Sequence, residues 1–191
     1  MRNVEEEGEL PAELGNLNLV EFIVNTNGLS GSIPFSMFNI STLEILDMGI
    51  NYFSSNLPST MGFSLPDVEV LYLGSNRLSG VIPISVTNTS KLTKLSMANN
   101  FLTGTIPNFG NSRLLQKFFI GENNLTGESL RFFSSLTNCR YLKFLMVSET
   151  KLSGVLPASI GNLSTSIQNF YASGCNIAGA IPVEIGNLSS L

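Results

Sequence analysis

Apolar residues come in short bursts of fixed spacing along the chain. Leu92, Leu95 and Met97 alternate with polar Thr93, Lys94 and Ser96, and the same spacing returns throughout. Aligning the bursts on the residue three places after the last apolar position puts Asn27, Asn51, Asn76, Asn100, Asn123, Thr150 and Cys175 in one column, at intervals of 24, 25, 24, 23, 27 and 25. Eight places before that column stand Leu19, Leu43, Val68, Leu92, Leu115, Leu142 and Ile167; five before it Phe22, Leu46, Leu71, Leu95, Phe118, Leu145 and Phe170; three before it Val24, Met48, Leu73, Met97, Ile120, Val147 and Ala172. The last two columns alternate with polar or variable residues, which predicts a short strand with one buried face.

Beyond the column the pattern changes character. Two places on come Leu29, Phe53, Leu78, Leu102, Leu125, Leu152 and Ile177, and four places on Gly31, Ser55, Gly80, Gly104, Gly127, Gly154 and Gly179, which are read as turns. Proline follows seven places after the column at Pro34, Pro58, Pro83, Pro107, Pro157 and Pro182, and Pro11 closes an eighth, partial unit. Its fixed φ and missing N–H predict an end to hydrogen-bonded structure there. The column asparagine can both donate and accept, so it can satisfy backbone groups in a turn that is otherwise buried. Thr150 and Cys175 satisfy fewer groups and predict weaker turns. A coil of this size cannot bury its own apolar face, so successive coils must stack into one continuous core.

The motif Leu92 to Pro107, LTKLSMANNFLTGTIP, resembles the plant-specific leucine-rich repeat found in receptor-like kinase ectodomains, receptor-like proteins and polygalacturonase-inhibiting proteins. The segment from Phe132 to Val183 most resembles receptor-like kinases of the immune subfamily that senses microbial molecules. The resemblance covers almost the whole chain. It implies an α/β fold: a right-handed leucine-rich repeat solenoid, or horseshoe, with a parallel β-sheet on its concave face and short 3-10 or α helices and turns on its convex face. One array is expected over 1–191, with a partial repeat at 1–18, full repeats at 19–42, 43–67, 68–91, 92–114, 115–141, 142–166 and 167–190, and residue 191 opening another.

Repeat five departs from the pattern, with Ser129 and Leu130 where Ile-Pro is expected and the longest interval of 27. Leu130, Phe133 and Leu136 fall three apart, which predicts a helix with an apolar stripe toward the core. A local change of curvature and a docking helix both remain open for it. The chain begins within a degenerate repeat and stops at Leu191 with neither cap, membrane helix nor kinase, so it is expected to be a fragment of a longer product or a truncated gene.

Composition narrows the chemistry. There is no histidine, only two cysteines and 13% charged residues, so the usual means of acid-base catalysis and metal binding are nearly missing. No glycine-rich phosphate loop or Ser/His pair is present. No enzymatic activity, cofactor or metal is expected, and any kinase would lie outside this chain. The net charge of −4 disfavours nucleic acid and anionic lipid as partners. Much of the acidity sits at Glu5, Glu6, Glu7, Glu9 and Glu13, a solvated run. Every apolar run is too short to cross a bilayer, and Met1 to Gly8 lacks the basic and apolar regions of a secretion signal. Cys139 and Cys175 occupy different points of the coil and read as free thiols lining the core.

The candidate binding residues lie on the concave sheet, beside the inward ones. Four places before the column the series is Ile23, Asp47, Tyr72, Ser96, Phe119, Met146 and Tyr171, and six before it Glu21, Ile45, Val70, Lys94, Lys117, Phe144 and Asn169. Phe119, Phe144, Met146 and Tyr171 are expected side by side, with Tyr72 earlier on the same face, as an aromatic patch for a partner. Packing among neighbouring side chains is the competing reading. Lys94, Lys117 and Lys143 border the patch and could meet an acidic group. Sequons stand at Asn39, Asn88, Asn124, Asn162 and Asn187, four of them twelve places after the column, where a glycan has room.

The resemblance implies an extracellular (apoplastic) recognition segment of a plasma-membrane receptor-like kinase in plant defence or development signalling. Its expected ligand is a peptide, glycan or protein, with a leucine-rich repeat co-receptor as a further partner. A soluble inhibitor of a secreted enzyme and a non-functional remnant are the alternatives.

Overall fold

The computed structural model describes residues 8–127 and 130–191. Glu5, Glu6, Glu7 and Ser129, singled out above, lie outside the described residues. Seven three-residue strands form one parallel sheet in chain order: β1 (Glu21–Ile23), β3 (Ile45–Asp47), β5 (Val70–Tyr72), β7 (Lys94–Ser96), β9 (Lys117–Phe119), β11 (Phe144–Met146) and β13 (Asn169–Tyr171). Each pairs with the next without slippage, so that Phe22, Leu46, Leu71, Leu95, Phe118, Leu145 and Phe170 form one rank. In the five central strands the middle residue is buried and its neighbours are half-buried. The alternation expected from the sequence therefore sets the face of the sheet, and the inward leucines of successive coils merge into one elongated core.

A second set of parallel strands corrects the reading of the glycines as turns. β2 (Ser30–Gly31) pairs with β4 (Tyr52–Phe53), and β6 (Ser79–Val81), β8 (Phe101–Thr105), β10 (Asn124–Gly127), β12 (Lys151–Val155) and β14 (Asn176–Ala178) form a five-stranded sheet. Five of these glycines lie inside strands, and Gly31, Gly80, Gly104 and Gly154 have φ between +77° and +115°. A glycine can hold that angle and stay in the ladder, where another residue is strained. Ser55 fills the same slot without a positive φ; at its coil the two groups of strands are joined through a single Asn56–Ser79 bridge, and its buried hydroxyl has no hydrogen-bond partner.

The asparagine column forms a ladder through the interior. Asn100 Nδ2 donates to the carbonyls of Leu73, Met97 and Ala98 at 3.1, 3.1 and 3.3 Å, and its Oδ1 accepts from the Leu78 N–H at 2.9 Å. Asn51, Asn76 and Asn123 make the same four bonds in their own coils. Each amide thus ties its own turn to the preceding coil. Thr150 donates to one backbone carbonyl, Val147 at 2.9 Å, and otherwise meets Cys175 Sγ at 3.3 Å, as its smaller side chain dictates. Thr150→Asn is expected to restore the missing bonds and stabilise the fold by about 1 kcal/mol, a net gain typical of such bonds. A thermal midpoint unchanged or lowered by the substitution counts against this account of the turn.

The strands of the second set end before Pro34, Pro83, Pro107, Pro157 and Pro182, as expected, and most of the prolines also start a helix. Pro11, Pro34, Pro83, Pro157 and Pro182 each precede and cap a 3-10 helix: Ala12–Asn16, Phe35–Asn39, Ile84–Asn88, Ala158–Asn162 and Val183–Asn187. A fixed φ near −65° suits a helix start, where no N–H is needed. Pro58 leads into α1 (Met61–Ser64). Repeat five carries the expected helix, α2 (Phe132–Leu136), with Leu130, Phe133 and Leu136 all buried.

Candidate ligand-binding surface

The outward residues of the concave strands form two in-register rows. Phe119 lies opposite Met146, and Met146 opposite Tyr171, while Lys117 pairs with Phe144 in the adjacent row. Lys117 Nζ sits 5.3 Å from the centre of the Phe144 ring, a cation–π contact. Tyr171 is 50% exposed, and its hydroxyl accepts from Asn169 Nδ2 at 3.0 Å. Phe119, Phe144 and Met146 are half-buried. The register brings the four together as expected, on a surface whose strands stand about 4.8 Å apart.

Tyr72 belongs to a neighbouring feature. A shallow groove of about 370 Å³ crosses the earlier coils, lined by Asn25, Asp47, Gly49, Ile50, Tyr72, Gly74, Ser75, Ser96, Ala98 and Phe119. Of the candidates named from the sequence, Tyr72 and Phe119 line this groove. Lys94, Lys117, Phe144, Met146 and Tyr171 do not. Sequence reasoning placed Asp47 and Ser96 on the concave face without making them candidates, and missed Asn25, Gly49, Ile50, Gly74, Ser75 and Ala98. The available signal was the column two places before the asparagine, which holds small or short polar residues in every coil: Asn25, Gly49, Gly74, Ala98, Gly121, Ser148 and Ser173. A β-carbon on Gly74 stands 2.7 Å from Ser96 Oγ and one on Gly121 2.6 Å from the Ser148 carbonyl oxygen. Close stacking of the coils therefore demands small residues here, and their smallness leaves the groove open.

Asp47 is held within that groove by its neighbours. Its Oδ2 accepts from Asn25 Nδ2 at 2.8 Å and its Oδ1 from the Gly49 N–H at 3.1 Å. Partial burial, and after it the nearby Asp47 carboxylate, hold the Tyr72 hydroxyl above its usual pKa, so it is a neutral hydrogen-bonding group at physiological pH. Within and just before the concave strands the charged residues differ by coil, while Glu122 and Glu149 follow the later strands in the column of groove-lining Ile50 and Ser75. Glu21, Glu44, Asp47 and Glu69 stand at or just before β1, β3 and β5, and Lys94, Lys117 and Lys143 at or just before β7, β9 and β11. Lys91–Asp67, at 2.8 Å, is the one ion pair among the described residues.

The thiols offer little to chemistry. Cys139 is fully buried, its Sγ 3.6 Å from the Phe109 carbonyl oxygen, and burial pushes its pKa up to about 11. A thiol in that state is a poor nucleophile. Cys175 is half-buried in the asparagine column, its Sγ 3.3 Å from the Val147 carbonyl oxygen. Both are free. Among the described residues no His, Cys, Asp and Glu group could hold a metal ion, and no helix is long and apolar enough to cross a membrane.

The sequons divide by position. Asn39, Asn88, Asn162 and Asn187 each end a 3-10 helix and are exposed. Asn124 is half-buried in β10, where it pairs with Thr103.

Comparison with known proteins follows the same lines. The leucine-rich repeat family model matches residues 67–89 and 91–112. Receptor-like protein 41 of Arabidopsis thaliana is 36% identical over 140 residues, which are 73% of this chain and 16% of that protein. The plant peptide hormone receptor RGFR1, solved in complex with RGF2, superposes with a TM-score of 0.90 at 34% identity, over 96% of this chain and 29% of that one. The Arabidopsis receptor kinase HAESA, solved with the peptide hormone IDA and the co-receptor SERK1, gives 0.89 at 27% identity, over 96% and 30%. The chain thus spans less than a third of the length of each of these relatives. Its repeats, its stacked parallel sheets and these similarities together make it a leucine-rich repeat array whose relatives are plant receptor-like kinases and receptor-like proteins.

Proposed function

We propose that the chain is a ligand-recognising segment of a plant receptor ectodomain, on the extracellular side of the plasma membrane, and that it holds an extended peptide against its concave sheet. The observation that carries this reading is the rank of Phe119, Met146 and Tyr171, with Phe144 beside it, on the outward face of neighbouring strands. Aromatic anchors on an open surface supply most of the energy in peptide and protein recognition. The solved complexes of RGFR1 with RGF2 and of HAESA with IDA and SERK1 support a peptide ligand and a co-receptor for this chain too. Tyr72 extends the surface toward the earlier coils, and Lys94 and Lys117 supply cations for an acidic group of the ligand.

Glycans at Asn39, Asn88, Asn162 and Asn187 fit the same reading, since these residues end helices away from the concave strands and leave that face clear. The half-buried Asn124 is the sequon least suited to one. The contribution of this chain is binding, and a kinase activity belongs to the receptor as a whole.

The test is a library of random linear peptides displayed on phage and panned against the folded chain. Alanine at Phe119, Phe144 and Tyr171 together is expected to reduce capture of the enriched peptides more than tenfold while leaving the thermal midpoint within a few degrees. Undiminished capture by that variant, or no enrichment on the parent chain, removes the concave surface as the binding face.

A further inference from the structure

Resting on the reading of the concave face as a peptide surface, we propose that Asp47 is its cation-recognising pole, which takes an arginine or lysine side chain of the ligand. Asp47 is a carboxylate in the groove without a positively charged partner among the described residues. Its two hydrogen bonds, from Asn25 Nδ2 and the Gly49 N–H, fix its orientation. An ionised carboxylate offers about four acceptor positions, so two remain for an incoming guanidinium or ammonium group. The Tyr72 ring on the next strand and Ile50 beside it give the aliphatic stem of such a side chain an apolar wall. No lysine or arginine lines the groove.

The charges of the concave face also set a direction. Asp47 on β3 lies three strands from Lys117 on β9, which is about 14 Å at the usual strand spacing. An extended peptide advances roughly 3.4 Å per residue, so about four residues cover that span. A ligand with a basic residue at one end and an acidic group about four residues away would lie along the solenoid with its basic end over the earlier coils. The reverse orientation would place like charges together at both ends, which favours one direction by charge alone.

Two arms test the proposal and separate its failure from that of the parent reading. In the first, N-acetyl-arginine amide and its neutral isostere N-acetyl-citrulline amide are titrated into the isotopically labelled chain and followed by NMR. The arginine probe is expected to shift the Gly49 and Gly74 amides and to bind at least tenfold tighter than the citrulline probe, with the difference lost in Asp47→Asn. Equal binding of the two probes to the parent chain overturns the proposal, and needs no variant to fold. In the second, the peptides enriched from the random library are sequenced after panning on the parent chain and on Asp47→Asn. Arginine or lysine is expected to be enriched on the parent chain alone. Enrichment that depends on Phe119 but carries no basic residue overturns the role of Asp47 and leaves the peptide surface standing; no enrichment at all overturns the surface itself.

Discussion

Asn100→Ala is expected to lower the unfolding free energy by about 3 kcal/mol, close to the most that any single polar substitution in this chain should cost. The side chain is 6% exposed and makes four hydrogen bonds to backbone groups of two coils. The loss is uneven. The Leu73 and Met97 carbonyls also accept from Asn76 and Asn123, and the Ala98 carbonyl from the Ser75 N–H, so each keeps a partner. The Leu78 N–H loses the Asn100 Oδ1 at 2.9 Å, and an orphaned buried donor costs its full desolvation penalty, about 1 to 3 kcal/mol. Asn100→Asp preserves the volume and should be worse than alanine, because it replaces a donating amide by a carboxylate pointed at three carbonyl oxygens. Urea denaturation of the parent and the two variants checks the order. An aspartate variant more stable than the alanine one would mean that volume, rather than donor polarity, holds the column.

Gly62→Ala is expected to unfold the chain around its second and third repeats or to cost at least about 3 kcal/mol, although it adds a single methyl to a short helix. A β-carbon at Gly62 collides with the backbone of the next coil, at the carbonyl of Ser85 and the nitrogen of Val86. Backbone cannot rotate away as a side-chain tip can, so the coils must separate and the stacked core beside them must open. Gly161 faces the Glu184 carbonyl in the same way and should be equally intolerant of alanine. Gly186 stands in the same place of its own repeat, with nothing within 4 Å of a β-carbon. In a protein of residues 1–191 alone, with no coil stacked after residue 191, Gly186→Ala is therefore expected to be neutral to within about 0.5 kcal/mol, since a surface change that touches nothing rarely does more. Thermal denaturation of the three variants separates this steric account from one based on helix propensity, which would have alanine stabilise all three positions.

Part of this molecule was legible in its repeats. Leu46, Leu71 and Leu95 announce a buried rank because a period-2 alternation repeated once per coil has one physical solution, a stack of short parallel strands sharing a core. The aromatic rank of Phe119, Met146 and Tyr171 follows from the same register, so its neighbours could be named before any coordinates. The groove at Asp47 could not. Its lining comes from strands β3 to β9 and from the small residues that follow the strands, which show no chemistry of their own, and only the stacking distance turns them into a cavity.

Residue identity alone determined the coil length, the inward columns, the asparagine ladder and the shortage of catalytic groups, since each depends on which side chain recurs at a fixed interval. The tertiary structure decided what depends on the neighbouring coil. The residue before every column position takes a left-handed conformation; it is a glycine only at Gly174, yet φ is near +55° also at Thr26, Ile50, Ser75, Asn99, Glu122 and Glu149. Local sequence gives no reason for that angle, which costs a non-glycine residue about 1 to 2 kcal/mol. The reason lies one coil on, where the Ile50 N–H donates to the Gly74 carbonyl at 2.9 Å and the Ser75 N–H to the Ala98 carbonyl at 2.8 Å. The second sheet has the same origin, because a strand of two to five residues is held there only by the strand stacked against it.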